Sequence, residues 1–167
     1  MIVPSAKHVL AIVERTLEES VVPDAASTSA RSALATIGHL LRHVQLRLDQ
    51  EGQILSDDIA ALRALLPDMA DWLARAGQDV APLRATLARR FREEGRYPDL
   101  GSLGEEAGAL RQALADALGR MVALRDDAGT DEAYKELRGR ARAYLASQIQ
   151  AEAALVDPAF AGKGPRR

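Results

Sequence analysis

Apolar residues recur along this chain at alternating steps of four and three. One run places Ala30, Leu34, Ile37, Leu41, Val44 and Leu48 in register, and a second places Leu103, Ala107, Leu110, Leu114, Ala117, Met121 and Leu124. Two shorter runs keep the same spacing: Ala6, Leu10, Val13 and Leu17, then Tyr134, Leu137, Ala141 and Tyr144 or Leu145. A mean step of about 3.5 keeps such a seam on one face of an α-helix, against a neighbour crossed at about 20°. No stretch alternates apolar and polar with the strand period. The pattern therefore predicts an all-α fold, an up-and-down helical bundle, in which short linkers make successive helices antiparallel. It shows no internal repeat.

Helix breakers divide the chain into six segments. The first runs from Ser5, a candidate N-cap, to Val21, with Pro23 beyond it. The second starts after "STS" (27–29) and stops at Gly52, read as a C′ glycine. The third starts after Ser56, carries Asp57 and Asp58 in its first turn, and ends at Gly77, with a break or kink at Pro67. The fourth starts after Asp79 and ends near Gly95, where "GRYPDLGSLG" (95–104) is turn-like. The fifth opens with Ser102 and Glu105 spaced as a capping box and ends near "DDAGT" (126–130). The sixth spans Asp131 to Val156 and is stopped by Pro158. Segments one, two, five and six form the frame, with three and four as a kinked insertion. One domain over 1–156 and a loose tail over 157–167 result. Gly104 and Gly108 read as sites of close helix approach, and Leu41, Leu110, Leu114 and Met121 as the centre of the core.

Composition sharpens this picture. Hydrophobic residues make up 47% of the 167 positions but aromatics only 4%, so Leu, Ala, Val and Ile must build the core. Net charge is −2, from 22 basic and 24 acidic residues, which gives no electrostatic footprint for nucleic acid. There is no cysteine, hence no disulfide, thiolate nucleophile or cysteine-ligated metal. No apolar run approaches the ~20 residues that span a bilayer, and the start lacks a signal-peptide pattern, so a cytoplasmic location without membrane association is expected.

Three constellations carry candidate chemistry. "HLLRH" (39–43) places His39 and His43 four apart, a spacing used by zinc and di-iron sites. Both fall well off the seam of their helix, with no Glu three positions ahead, which favours polar or interface histidines over a metal site. Leu40 and Leu46 give the same helix a second apolar stripe, the mark of a contact surface. Second, Gln148 and Glu152 occupy core positions of the last segment below Tyr144. They are either the lining of an internal pocket, in which burial would raise the Glu152 pKa, or simply the place where the helix leaves the core. Third, Arg84, Arg89, Arg90, Arg92 and Arg96 surround Phe91 and Tyr97, as a phosphate site or as a solvated helix end. Phosphate-loop, dinucleotide, nucleophile-elbow and zinc-protease motifs are absent, and no catalytic residue or cofactor is assigned.

The stretches "VPSAKHVLAIVERTLEESVVP" (3–23), "ARSALATIGHLLRHVQLRL" (30–48) and "YLASQIQAEAALVDPAFAG" (144–162) resemble the opening and ending of a small helical bacterial family of unknown function. Its members are often encoded beside acyl-CoA dehydrogenase and aminoglycoside-phosphotransferase-like genes. The resemblance implies an accessory protein of acyl-CoA metabolism and brings no catalytic residues. The function expected is therefore a non-catalytic helical interaction protein, a homodimer through helix two or segment three. A ligand-binding or enzymatic bundle with a pocket near Tyr144, Gln148 and Glu152 is the alternative, and a metal-dependent bundle using His39 and His43 the third.

Overall fold

The computed structural model describes residues 4–89, 91, 97–125 and 131–160, with side chains as far as Val156. Among these the fold is all-α: 86% is helical, in five helices with no strand. They are α1 (Ala6–Thr16), continued by a π-turn over Leu17–Val21, then α2 (Thr28–Arg75), α3 (Ala81–Ala88), α4 (Leu100–Ala123) and α5 (Glu132–Phe160). The count is five and not six because segments two and three are one helix of 48 residues. Gly52 does not end it. Among the described residues only Gly77 adopts positive φ (+74°), and the helix closes there with Gln78 N–H donating to Leu73 O at 3.0 Å. Pro67 does not break it either. An interior proline costs about 3 kcal/mol, and here that is offset by the burial of Leu62, Leu65, Leu66, Met69, Ala70 and Leu73 around it.

Caps match the sequence reading more closely than helix ends do. Ser5 Oγ accepts from His8 N–H, and Asp79 and Asp131 accept from the N–H groups of Ala81 and Ala133. The cap of α4, however, is Asp99, whose carboxylate accepts from Ser102 N–H at 2.9 Å, three residues before the cap expected at Ser102. α5 runs through Pro158 to Phe160, and residues 161–167 lie outside the described residues.

The chain's contacts gather into two compact units, residues 1–51 with 151–167, and residues 52–150. In the first, α1 runs antiparallel to the opening half of α2. Lys7 pairs with Asp49 at 2.5 Å, while Glu14 receives Arg42 at 2.8 Å and Gln45 at 3.1 Å. These contacts turn α2 over relative to its expected seam. His39 is buried, whereas Ile37, Val44 and Leu48 are more than 40% exposed and Leu41 only half-buried.

Among the described residues all the buried apolar side chains belong to the second unit, between Ile59 and Tyr144, and Leu110, Leu114 and Met121 are among them as the seam predicts. Here α4 runs parallel to the closing half of α2. Leu100 at its start lies against Gly52, and Arg120 near its end reaches the backbone of Asp79 beyond the end of α2. α5 runs antiparallel to both, with Asp131 at Trp72, Arg140 at Asp68 and Tyr144 at Asp58. Gly104 and Gly108 face open space, for an added Cβ would meet nothing within 4 Å, so they do not serve close packing.

This geometry exposes a repeat that the apolar pattern hides. Positions 48 apart on α2 and α4 match: Leu55/Leu103, Ala61/Ala109, Leu62/Leu110, Arg63/Arg111, Leu66/Leu114 and Asp68/Asp116 are identical, and Asp57/Glu105, Asp58/Glu106 and Leu73/Met121 keep their character. Burial obeys the same alignment, with Asp58 and Glu106, Ile59 and Ala107, Leu62 and Leu110, and Leu66 and Leu114 all buried. The relation extends past the end of each helix. Asp79 and Asp131 open α3 and α5 in the same way, and each meets the other hairpin at equivalent residues, Arg120 and Trp72. The second unit is thus two helical hairpins, α2–α3 and α4–α5, packed reciprocally about a pseudo-two-fold axis.

Candidate functional site

The repeat places an acid five residues before an arginine on each of two parallel helices, and the pairs cross. Arg63 Nε donates to Glu106 Oε1 at 2.8 Å, and Arg111 Nε donates to Asp58 Oδ2 at 2.8 Å. Both carboxylates are buried, Glu106 to 2% exposure and Asp58 to 8%, while the arginine heads reach the edge of the helix pair. Burying a carboxylate is unfavourable unless it is paired and hydrogen-bonded, and the crossing supplies both partners.

α5 adds to one pair. Tyr144 O–H donates to Asp58 Oδ1 at 2.6 Å, and Gln148, its amide oxygen oriented by the guanidinium, accepts from Arg111 Nη2 at 2.8 Å and Nε at 2.6 Å. Burial pushes the Tyr144 hydroxyl well above the ordinary tyrosine value, and the bond to Asp58 and its negative charge push the same way. A proton-transfer group works best with a pKa near the operating pH, and this shift moves the phenol away from it. On the other pair, Arg63 Nη1 donates to the Leu87 carbonyl at 2.9 Å, at the end of α3. No buried side-chain nitrogen or oxygen among the described residues lacks a hydrogen-bond partner. The arrangement ties four helices together, and its polar groups face one another.

The structure separates the residues singled out from sequence. Tyr144 and Gln148 meet at this network in the second unit; Glu152 belongs to the first and is exposed, so the burial on which an acid or base role depended is not there. His39 lies inside the first unit, where its Nδ1 accepts from Arg42 Nη2 at 3.0 Å, which leaves the neutral ring's proton on Nε2. His43 does the reverse, donating Nδ1–H to the Leu155 carbonyl at 3.0 Å. The two Nδ1 atoms thus serve different partners, and no three His, Cys, Asp or Glu side chains among the described residues are placed to hold a metal. His39 also lines a cavity of about 200 Å³ between α1 and α2, walled by Leu17, Val22, Leu34 and Ala35. In the arginine run, Arg84 pairs with Asp71 and Arg89 lies over the Phe91 ring at 4.4 Å; Arg90, Arg92 and Arg96 lie outside the described residues.

Sequence reasoning missed Asp58, Arg63, Glu106 and Arg111. The available signal was the recurrence of two adjacent acids with Leu-Arg four residues beyond the second. No helix among the described residues is long and apolar enough to cross a membrane. Comparison with protein-family models, with curated proteins and with solved structures finds no match.

Proposed function

We propose that this chain is a non-catalytic helical interaction protein that self-associates through the apolar stripe on the opening half of α2. Of the second stripe expected from the sequence, Leu46 is half-buried and Leu40 is 54% exposed, and one observation carries the reading: Ile37, Val44 and Leu48, expected in the core, lie along the same side as Leu40, 41%, 43% and 46% exposed. Large side chains grouped in this way on a helix mark a contact surface. Segment three, the other candidate surface, is consumed within its own unit, since Ile59, Leu62, Leu66, Met69, Trp72 and Leu73 are all buried. Two-fold pairing of like surfaces is the commonest closed solution. His39 and His43 engage Arg42 and the Leu155 carbonyl instead of the stripe, so the contact contains no histidine pair. The resemblance of the chain's two ends to a bacterial family encoded beside acyl-CoA dehydrogenases suggests the setting, that of an accessory subunit in acyl-CoA metabolism.

Sedimentation velocity over a micromolar concentration series tests the proposal. A dimer is expected, with Leu40→Lys and Val44→Lys each shifting it to monomer while the far-ultraviolet spectrum is unchanged. A wild-type monomer throughout, or lysine variants that dimerise as well as the wild type, would reject it.

A further inference from the structure

The pseudo-two-fold relation makes two grooves equivalent, and they differ first in what their covering helix supplies. On the α2 side, α5 lies along the helix, and its Arg140 reaches across to donate to Asp68 Oδ2 at 2.7 Å and to the Ala64 carbonyl at 3.2 Å, on the wall of an open cleft of about 660 Å³ that Asp71, Ala74, Arg84 and Leu137 also line. On the α4 side, α3 takes the equivalent place, with Asp116 and Gln112 standing where Asp68 and Ala64 stand. But α3 has only eight residues, and it turns Pro82, Leu83 and Thr86 towards this groove. Its one arginine, Arg84, pairs instead with Asp71 on α2.

The side chains beneath the groove differ as well. Where α2 carries Leu65 and Met69, α4 carries Ala113 and Ala117. Over these smaller residues lies a cleft of about 410 Å³ between α3 and α4, floored by Ala109, Ala113 and Ala117. Asp116 stands on its rim, and its polar partner among the described residues is the neutral amide of Gln112, at 2.9 Å. Arg120, also on the rim, is turned to the Asp79 carbonyl. The cleft therefore has an apolar floor and a carboxylate at the position that, in the twin groove, receives a guanidinium.

We propose that the α3–α4 cleft docks an arginine-bearing helix of a partner protein, which supplies to Asp116 what Arg140 supplies to Asp68. The aliphatic stem of that arginine and a neighbouring small apolar side chain would cover the three alanines, and the guanidinium fork would take the carboxylate. Arginine suits this better than lysine because its planar head can bridge a carboxylate and a nearby carbonyl at once, as Arg140 does. This surface is separate from the α2 stripe, so the two proposals stand or fall independently.

The twin groove also supplies the probe. A labelled peptide of residues 132–150, which includes Arg140, is titrated with the full-length protein and followed by fluorescence anisotropy. Saturable binding is expected, weakened about tenfold or more by Asp116→Asn in the protein and by Arg140→Gln in the peptide. Asp68→Asn in the protein should leave it unchanged. Ala113→Leu with Ala117→Met, the residues α2 carries at these positions, should abolish it by filling the cleft. The proposal is overturned if the peptide does not bind or binds Asp116→Asn as well as wild type. Loss of binding only in Asp68→Asn would overturn it too, since that marks exchange with the protein's own α5. So would competition by N-acetylarginine amide at the peptide's own concentration range, since the site would then take a small guanidinium compound and not a helix.

Discussion

Removing one arm of a crossed pair should cost more than removing the whole pair. Take Arg63→Ala. The variant leaves Glu106, 2% exposed, without the guanidinium that contacts it at 2.7–2.8 Å, and it frees the Leu87 carbonyl. Breaking a buried ion pair from one side destabilises by roughly 3–5 kcal/mol. The Arg63 side chain is 36% exposed, and solvent screens part of the interaction. A loss of about 2–4 kcal/mol is therefore expected. Replacing both partners, as Arg63→Met with Glu106→Met, removes the stranded charge and adds apolar contact against Leu62, Leu110 and their neighbours. Such replacements are often neutral or stabilising by ~1–4 kcal/mol. Urea denaturation monitored at once by far-ultraviolet circular dichroism and by the fluorescence of the single tryptophan, Trp72, measures both. Trp72 is buried in the second unit and so reports on the helices that the pair joins. A loss below ~1 kcal/mol for Arg63→Ala, or a double variant as unstable as the single one, would refute the argument that Arg63 is there to neutralise Glu106.

The same geometry fixes three further outcomes. Leu114→Ala removes a side chain 3% exposed at the centre of α4 and should cost ~2–5 kcal/mol by denaturant titration, from lost transfer and cavity formation together. Gly104→Ala and Gly108→Ala should each raise stability by ~0.5–1 kcal/mol, because an added methyl meets open space and helix propensity alone decides. Tyr144 has a folded pKa raised above its unfolded value near 10, so its contribution is fully present below pH ~10 and is lost as pH rises beyond that. Tyrosine absorbance titration should show Tyr144 ionising only with unfolding. If all three tyrosines titrated together in the native protein, Tyr144 would not be held by burial and Asp58.

How far the fold is legible in the sequence depends on which interactions decide each part. The seam of α4 is legible because Leu103, Leu110, Leu114 and Met121 are selected by burial alone. The end at Gly77 and the caps at Ser5, Asp79 and Asp131 are legible because each is fixed within a few residues. Gly52 and Pro67 mislead because packing overrides local propensity: the wide apolar arc from Ile59 to Leu73 is covered on several sides and carries the helix through. The repeat is hidden because its large positions on α2, Ile59, Leu65 and Met69, are alanines on α4, and because its second helices differ so much in length. The candidate site is half legible. Tyr144 and Gln148 stand out as polar residues on a seam, but their partners, Asp58 and Arg111, come from other helices at separations that no local pattern encodes.

The two halves of α2 show why apolar periodicity can point outward. From Ile59 onward the helix has more apolar residues than one seam can hold, and surrounding helices must cover them. Before Gly52 it has its seam, flanked by Leu40 and Leu46, and, on another face, Arg42, Gln45 and Asp49. Those three meet Glu14 and Lys7 of α1, and Arg42 also holds His39. The salt bridges and hydrogen bonds therefore choose which face α1 covers, and the apolar face is left to solvent. A bundle built only to maximise its own burial would make the opposite choice, since each large apolar side chain buried is worth roughly 1.5–3 kcal/mol and an exposed ion pair such as Lys7–Asp49 about 0–1 kcal/mol. A sequence that breaks this local pattern without an internal gain is one whose compensation lies elsewhere. For Ile37, Leu40, Val44 and Leu48 the compensation we propose is the same surface of a second copy, so the inverted seam, more than the histidines beside it, is where lysine substitutions test self-association.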